Sequence, residues 1–242
     1  RPGRFDRQIQ LLGAEGQARL MRSAAVVVGV RGATGEVAKN LALTGLGRLC
    51  VVQSDGELSQ ADVDACCLYT RLQVDSRPCT KRGSIAEELQ GMNAKMALSF
   101  DEDFAELECD YFIFAPATLN AFREQALSRS DHPGLHIYVF ESAFGGALLL
   151  FEKGDLPLPS SDKIENLAKI DGVLGAFCSE KFPFNGEETL LAVSSVLGAL
   201  ASQCVLLRLI KGPLSFNLLT FNFGFQAAHP LAQMKSQTYL LT

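Results

Sequence analysis

Three glycines at regular spacing suggest a site for phosphate. Gly29, Gly32 and Gly35 follow an apolar, valine-rich run from Ala24 to Val28, which predicts a strand. They precede a helix-like segment from Glu36 to Leu41. A glycine turn between a strand and a helix lets backbone N–H groups approach a phosphate at the amino terminus of the helix. The chemistry that this arrangement suggests is nucleotide binding.

The details of this turn weaken the case for a nicotinamide dinucleotide. The spacing is G-x-x-G-x-x-G, whereas the dinucleotide fingerprint is G-x-G-x-x-G. The next predicted strand, Leu49 to Val52, is followed by Gln53 where an acidic residue is needed for the ribose. Asp55 comes two positions later, about 6.6 Å along an extended chain. An NAD-dependent oxidoreductase stays open as an alternative, but no Tyr-x-x-x-Lys pair supports it.

Neither a metal site nor a disulfide framework is expected. The seven cysteines are odd in number, include no Cys-x-x-Cys pair and are accompanied by only three histidines. They are Cys50, Cys66, Cys67, Cys79, Cys109, Cys178 and Cys204. Reduced thiols in a cytosolic or nuclear protein are the simplest interpretation. The Arg-Pro-Gly start shows no apolar signal-peptide segment.

Charge and composition indicate a globular chain. Its 242 residues include 22 basic and 27 acidic side chains, a net charge of −5, and no basic patch of the kind that nucleic-acid binding requires. Hydrophobic residues make up 48%, which excludes disorder. We expect one α/β domain over residues 1–242.

The elements that position the glycine turn follow from periodicity. An amphipathic segment from about Phe5 to Arg22 predicts a helix broken near Gly13, and the glycine turn lies in a βαβ unit with parallel strands. Further helices are predicted at 85–92, 119–127 and 164–177, further strands at 111–115, 137–140, 147–151 and 214–220, a loop at 156–161 and closing strands in the phenylalanine-rich tail.

An uncharged segment from Leu190 to Leu207 is long enough to span a bilayer. It contains Ser194, Ser195 and Ser202, so we expect a fully buried helix rather than a membrane span. Either the core of its own domain covers it entirely, or the core covers one side and a partner chain the other. This helix and the amino-terminal helix are the candidate partner surfaces.

Two segments resemble the enzymes that activate ubiquitin-like proteins. Phe5 to Gly13, FDRQIQLLG, is similar to the opening motif of that family, and Glu36 to Gly45, EVAKNLALTG, is similar to its helix after the glycine turn. The resemblance covers about residues 4–152 and resumes at 188–222. It implies a Rossmann-like, mostly parallel sheet flanked by helices, of the ThiF/MoeB adenylation type.

That family uses ATP and magnesium to adenylate a modifier, and in its heterodimers one half is a degenerate partner of the working half. The residues here resemble the degenerate half. Arg31 and Thr34 stand where two glycines of the family's turn belong, so we expect no cofactor at the loop of Gly29, Gly32 and Gly35. Gln53 stands at the position of the family's ribose-binding Asp, Ala65 at its catalytic Arg and Cys66 at a Gln. Pro78 stands at the position of an essential Lys, although Arg77 and Lys81 lie nearby in the sequence. Thr118, five residues before Arg123, stands at the position of the magnesium-binding Asp.

One functional position of the family is retained. The resemblance assigns to Arg7 the arginine that reaches into the partner's ATP site in trans. It therefore implies ATP and magnesium in the partner subunit, no metal in this chain, and no catalytic thioester cysteine, since Cys178 is expected to be a core residue. The expected location is the nucleus and cytoplasm.

The regulatory subunit of the SUMO-activating heterodimer is the type that fits best. Its partners are then the catalytic subunit and, through the complex, the modifier, with no nucleic acid and no membrane. The alternatives are the regulatory subunit for the cullin modifier and a homodimeric adenylyltransferase of the molybdopterin or thiamine type. The stretch between Phe151 and Thr189 is shorter than in the SUMO-type subunit, so the chain is a compact version or lacks residues there.

Overall fold

A computed structural model describes residues 3–76, 79–102, 108–128, 132–142, 145–152, 191–214, 218–222 and 235–239. Its strands form one sheet in the order β3-β2-β1-β4-β5-β6-β7-β8. The strands are β1 (Ala24–Val28), β2 (Arg48–Val52), β3 (Ala97–Asp101), β4 (Tyr111–Phe114), β5 (Leu135–Ser142), β6 (Gly145–Phe151), β7 (Leu218–Asn222) and β8 (Lys235–Tyr239). The fold is therefore the α/β, Rossmann-like type that the sequence predicts.

The described helices are α1 (Asp6–Arg22), α2 (Gly32–Thr44), α3 (Gln60–Ala65), α4 (Arg71–Ser76), α5 (Lys81–Met92), α6 (Leu119–Ser128) and α7 (Leu191–Lys211). The predicted break in α1 is confirmed, because Gly13 has φ 73° and ψ 162° inside the helix. The predicted loop at 156–161, the predicted helix at 164–177, Cys178 and most of the phenylalanine-rich tail lie outside the described residues.

The first five strands of the sheet order pair in parallel, and the last three join them in antiparallel fashion. Every residue of β4, β5 and β6 is buried, as the continuous apolar runs predict for strands covered on both faces. The sequence missed β3, an edge strand whose residues alternate between exposed and half-buried. Such a strand has no apolar run to reveal it.

Helix α1 is fixed to the carboxyl end of α2 by the two motifs that carry the family resemblance. The Gln8 side chain donates to the Thr44 carbonyl at 2.8 Å. Gly45 ends α2 in the left-handed region, with φ 94°, and a Cβ there would lie 2.7 Å from the Phe5 ring. Gly45 is therefore required both by its backbone conformation and by the close approach of Phe5.

Helix α7 packs against α2 and the sheet, with nine buried residues that include Val193, Leu197 and Val205. One side of the helix lies against the core, as predicted, whereas Leu191, Ser195, Ala199 and Gln203 form an exposed stripe at four-residue spacing. Coverage of that stripe by a partner chain stays a prediction. The residues on that stripe are mostly small or uncharged, so the sequence does not reveal that this face of the helix is exposed. By length and composition α7 passes as a membrane span, but half of its most apolar window is buried inside the fold.

Candidate functional site

The glycine turn lies at the carboxyl ends of the parallel strands. Gly29 follows β1 with φ 71°, and its N–H donates to the Val52 carbonyl at the end of β2. Helix α2 begins at Gly32, four residues earlier than the sequence predicts. This brings the first turn of a 13-residue helix to the sheet edge between β1 and β4, which is where open α/β sheets bind their ligands.

The chain itself satisfies backbone donors of this turn. The Val30 N–H donates to the Gln53 side-chain oxygen at 2.9 Å. The Arg31 N–H donates to the Thr34 hydroxyl at 3.1 Å, and that hydroxyl donates back to the Arg31 carbonyl at 2.7 Å. Gln53 and Thr34, which differ from the residues of the family at these positions, therefore accept hydrogen bonds from N–H groups that a phosphate would need.

A buried glutamate occupies the amino terminus of α2. Glu141, near the carboxyl end of β5, is only 4% exposed. One of its carboxylate oxygens accepts from the Ala33 N–H, and the other accepts from the Ser194 hydroxyl at 3.0 Å. Burial raises the pKa of the Glu141 carboxyl, and the two hydrogen bonds and the Arg31 guanidinium oppose that rise. The sequence analysis missed Glu141, although a glutamate directly after the apolar run 137–140 was a signal that a charge is buried there.

The retained glycines make room for the chain's own side chains. A Cβ on Gly32 would collide with the Glu141 carboxylate, and a Cβ on Gly35 would lie 2.6 Å from the Cys66 sulfur. Close approach is the ordinary reason for glycine in such turns. Here the approaching groups are a carboxylate and a thiol from the same chain.

The other replaced positions have structural roles as far as they are described. Lys81 donates to the Asp62 carboxylate at 2.7 Å, in a half-buried ion pair. Thr118 accepts from the Ala121 N–H at 3.0 Å and caps α6. Cys66 is 2% exposed, and a hydrogen bond from Cys67 lowers the pKa of its thiol. Arg77, Pro78 and the Arg123 side chain lie outside the described residues.

Arg82 is a second residue that the sequence analysis missed. Its Nε donates to the Gln53 carbonyl at 2.7 Å, and its Nη2 donates to the Asp101 carbonyl at 3.2 Å. These bonds join the ends of β2 and β3 and fix the backbone of Gln53. No local pattern indicates them, because the partners are backbone carbonyls of distant residues.

Arg7 lies on the exposed first turn of α1. None of the hydrogen bonds and ion pairs that the structure shows among its described residues involves this side chain. Its neighbour Gln8 contacts the carboxyl end of α2, whereas the glycine turn lies at the other end. The 13 residues of α2 separate these two places by about 20 Å.

A cavity of about 610 Å³ opens at the opposite edge of the sheet, where β1, β4 and β5 begin. Among its lining residues are three arginines and three acids, Arg19, Arg48, Arg208, Glu108, Asp110 and Glu152. Two of the acids are engaged, since Asp110 accepts from the Ala24 N–H at 2.8 Å and Glu152 accepts from Arg208 at 3.1 Å. No sequence pattern predicted this cavity, and its lining shares no residue with the glycine turn.

The described part of the chain also contains side chains that could ligate a metal ion or act as thiols. Within it, no three or more His, Cys, Asp and Glu side chains are grouped so that they could hold a metal ion. The six cysteines there, Cys50, Cys66, Cys67, Cys79, Cys109 and Cys204, are free thiols.

Comparisons with known proteins assign the amino-terminal half. The model of the ThiF family matches residues 5–118. Over 108 residues the chain is 32% identical to SUMO-activating enzyme subunit 1 of Mus musculus, and this region covers 45% of the chain and 30% of that protein. The match thus spans less than a third of the length of this relative.

Solved structures share the whole fold at low identity. The crystal structure of E. coli MccB with ATP has a TM-score of 0.68 at 17% identity and covers 100% of this chain and 72% of that chain. The structure of PaaA has a TM-score of 0.69 at 14% identity and covers 98% and 72%, respectively. At such identities the likeness shows the fold alone. The family match and the curated relatives together show that the region 5–118 is similar to the ThiF family and, over 108 residues, to a subunit of the enzymes that activate SUMO.

Proposed function

We propose that the chain is the regulatory, non-catalytic subunit of a heterodimeric activating enzyme of the SUMO type. In this proposal it is a single adenylation-type domain without a nucleotide of its own. Its partner subunit binds ATP and magnesium and adenylates the modifier, which meets this chain only through the complex. The expected location is the nucleus and cytoplasm.

The observation that carries the proposal is the internal occupancy of the glycine turn. The N–H groups of Val30, Arg31 and Ala33 donate to Gln53, Thr34 and Glu141, respectively. A phosphate needs those donors and brings its own negative charge, which a buried carboxylate at the same place repels. The residues present therefore do not fit ATP.

The position of Arg7 supports a role in trans. The chain's own glycine turn is about 20 Å away along α2, which is farther than an arginine side chain extends. Arg7 is exposed, always charged and able to bind phosphate oxygens through a planar pair of N–H groups. These observations support a role for Arg7 at a site on another chain rather than at its own.

Exposed apolar residues on α1 and α7 support these helices as the partner surface. Leu11 is 84% exposed and Met21 47% on α1, and Leu191 is 58% exposed on α7. Exposed apolar patches are typical of protein interfaces.

The experiment that tests the proposal compares two arginines of α1 in the complex with the catalytic subunit. Arg7→Ala should slow modifier-dependent ATP–pyrophosphate exchange by about ten- to a hundredfold, because it removes a charge that stabilises the reacting phosphates. Gel filtration should show an intact complex. Arg22→Ala, at the far end of the same helix and also exposed, is the control and should leave the rate unchanged. Unchanged exchange with Arg7→Ala would contradict the proposal.

Calorimetric titration of the chain without its partner separates the alternatives. Tight binding of ATP with magnesium would support the homodimeric adenylyltransferase, and binding of NAD(H) would support the oxidoreductase. The proposal expects binding of neither.

A further inference from the structure

We propose that the Glu141 carboxylate is a built-in anion at the amino terminus of α2 and that this residue keeps phosphate from the Ala33 N–H, beside the N–H groups that Gln53 and Thr34 already occupy. The inference rests on the proposed function in one respect, namely that the chain has no nucleotide of its own. It adds that the first turn of α2 beneath Glu141 is still an anion site, which this one side chain fills.

The contacts of Glu141 are those of a ligand rather than of an ordinary helix cap. A capping side chain comes from the residue just before its helix, but Glu141 lies 108 residues from Ala33 and reaches α2 from β5. Its second oxygen is bound by Ser194 from α7. Two separate elements, α2 and α7, thus donate to a carboxylate that a third element, β5, supplies, as elements converge on a bound anion.

Physical chemistry explains why a carboxylate is retained there. Burying a charge at 4% exposure is unfavourable unless donors and positive charge compensate for the lost water. The first turn of α2 supplies both, because its N–H groups lack partners within the helix and its dipole is positive at this end. The Arg31 guanidinium adds a further attraction. These features are the ones that bind phosphate in glycine turns.

Glu141 excludes phosphate by volume and by charge. Its carboxylate lies so close to Gly32 that even a Cβ would collide with it. A phosphate at the Ala33 N–H would overlap this carboxylate and repel it at short range. Removing the side chain would therefore expose an anion site whose backbone geometry is already formed.

The test measures pyrophosphate binding to the full chain, without the partner, by calorimetry and by the shift in melting temperature. Glu141→Ala should bind pyrophosphate about tenfold or more tightly than the wild type, which is the effect of regaining a charge-assisted hydrogen bond. Glu141→Gln is the matched control. It keeps the volume and an oxygen acceptor, so it should bind no more tightly than the wild type.

A folded Glu141→Ala that binds no more pyrophosphate than the wild type would overturn the inference, and so would a Glu141→Gln that binds as well as Glu141→Ala. If Glu141→Ala does not fold in anion-free buffer, Glu141→Ser is tested in the same way. If either variant folds only when pyrophosphate or phosphate is present, the result supports the inference. If neither variant folds with any anion, the result contradicts it. Because no partner or modifier is present, the result is separate from the exchange assay on Arg7.

Discussion

Replacing Gly198 by alanine tests whether α7 is a core helix that packs directly on α2. Gly198 is buried in α7 at its closest approach to α2. A Cβ there would collide with the Cβ of Glu36 and lie 2.8 Å from the Ala33 carbonyl oxygen. Neither atom is the flexible end of a side chain, and Glu36 is further held by the Ser195 hydroxyl at 3.1 Å. The two helices must therefore move apart to accept the methyl group.

The expected magnitude follows from two opposing effects. Overpacking of a rigid contact lowers the free energy of unfolding by about 3 kcal/mol, the upper end of its usual range. Alanine in place of glycine within a helix returns about 1 kcal/mol. The net loss is about 2 kcal/mol, or about 4–8 °C in melting temperature for a chain of this size.

The assay is urea denaturation and thermal melting of Gly198→Ala beside Gly91→Ala. Gly91 lies in α5 with no atom within 4 Å of an added Cβ, so alanine there should raise stability by about 0.5 kcal/mol. A Gly198→Ala variant as stable as Gly91→Ala would refute the packing of α7 on α2. It would also reopen the interpretation of α7 as a membrane span.

Two further predictions concern the ends of β2 and α3. Desolvation raises the pKa of Asp62, but the bonds from Lys81 and Ser59 outweigh it and hold that pKa below its ordinary value. Because the folded pKa is lowered, the stabilisation is present above about pH 4 and is lost as the pH falls through the lowered pKa. Asp62→Asn should therefore flatten the acid side of a stability-versus-pH curve measured by urea denaturation, and a slope equal to that of the wild type would contradict the reasoning. Gln53→Leu leaves the Val30 N–H without its acceptor and should lower the free energy of unfolding by about 1–2 kcal/mol in the same assay. Gln53→Glu keeps an oxygen acceptor and is the control, so equal losses in the two variants would exclude this hydrogen bond as the cause.

Local patterns were enough for the elements in which one residue type dominates. The valine run of β1, the apolar runs of β4 to β6 and the break of α1 at Gly13 could be predicted, because strand and helix periodicities are properties of short segments. The edge strand β3 and the short helices α3 and α4 could not be predicted, since they carry little apolar periodicity.

The candidate site shows the same division. Arg31, Thr34 and Gln53 could be identified as departures from a phosphate-binding turn, because Arg31 and Thr34 lie within the motif and Gln53 directly follows the next predicted strand. Their hydrogen-bond partners could not, since Gln53 bonds a backbone N–H 23 residues away. The partner of Glu141 was out of reach for the same reason, because the Ala33 N–H that it bonds lies 108 residues away.

The sequence by itself determined that this chain carries a glycine turn between a strand and a helix, and its family resemblance predicts that charged groups of an ATP site are missing around that turn. Only the tertiary structure decided what fills the turn. The reason is physical: a buried helix terminus needs an acceptor, and which acceptor supplies it depends on which strands and helices the fold brings together. Here β5 and α7 bring Glu141 and Ser194 to the start of α2.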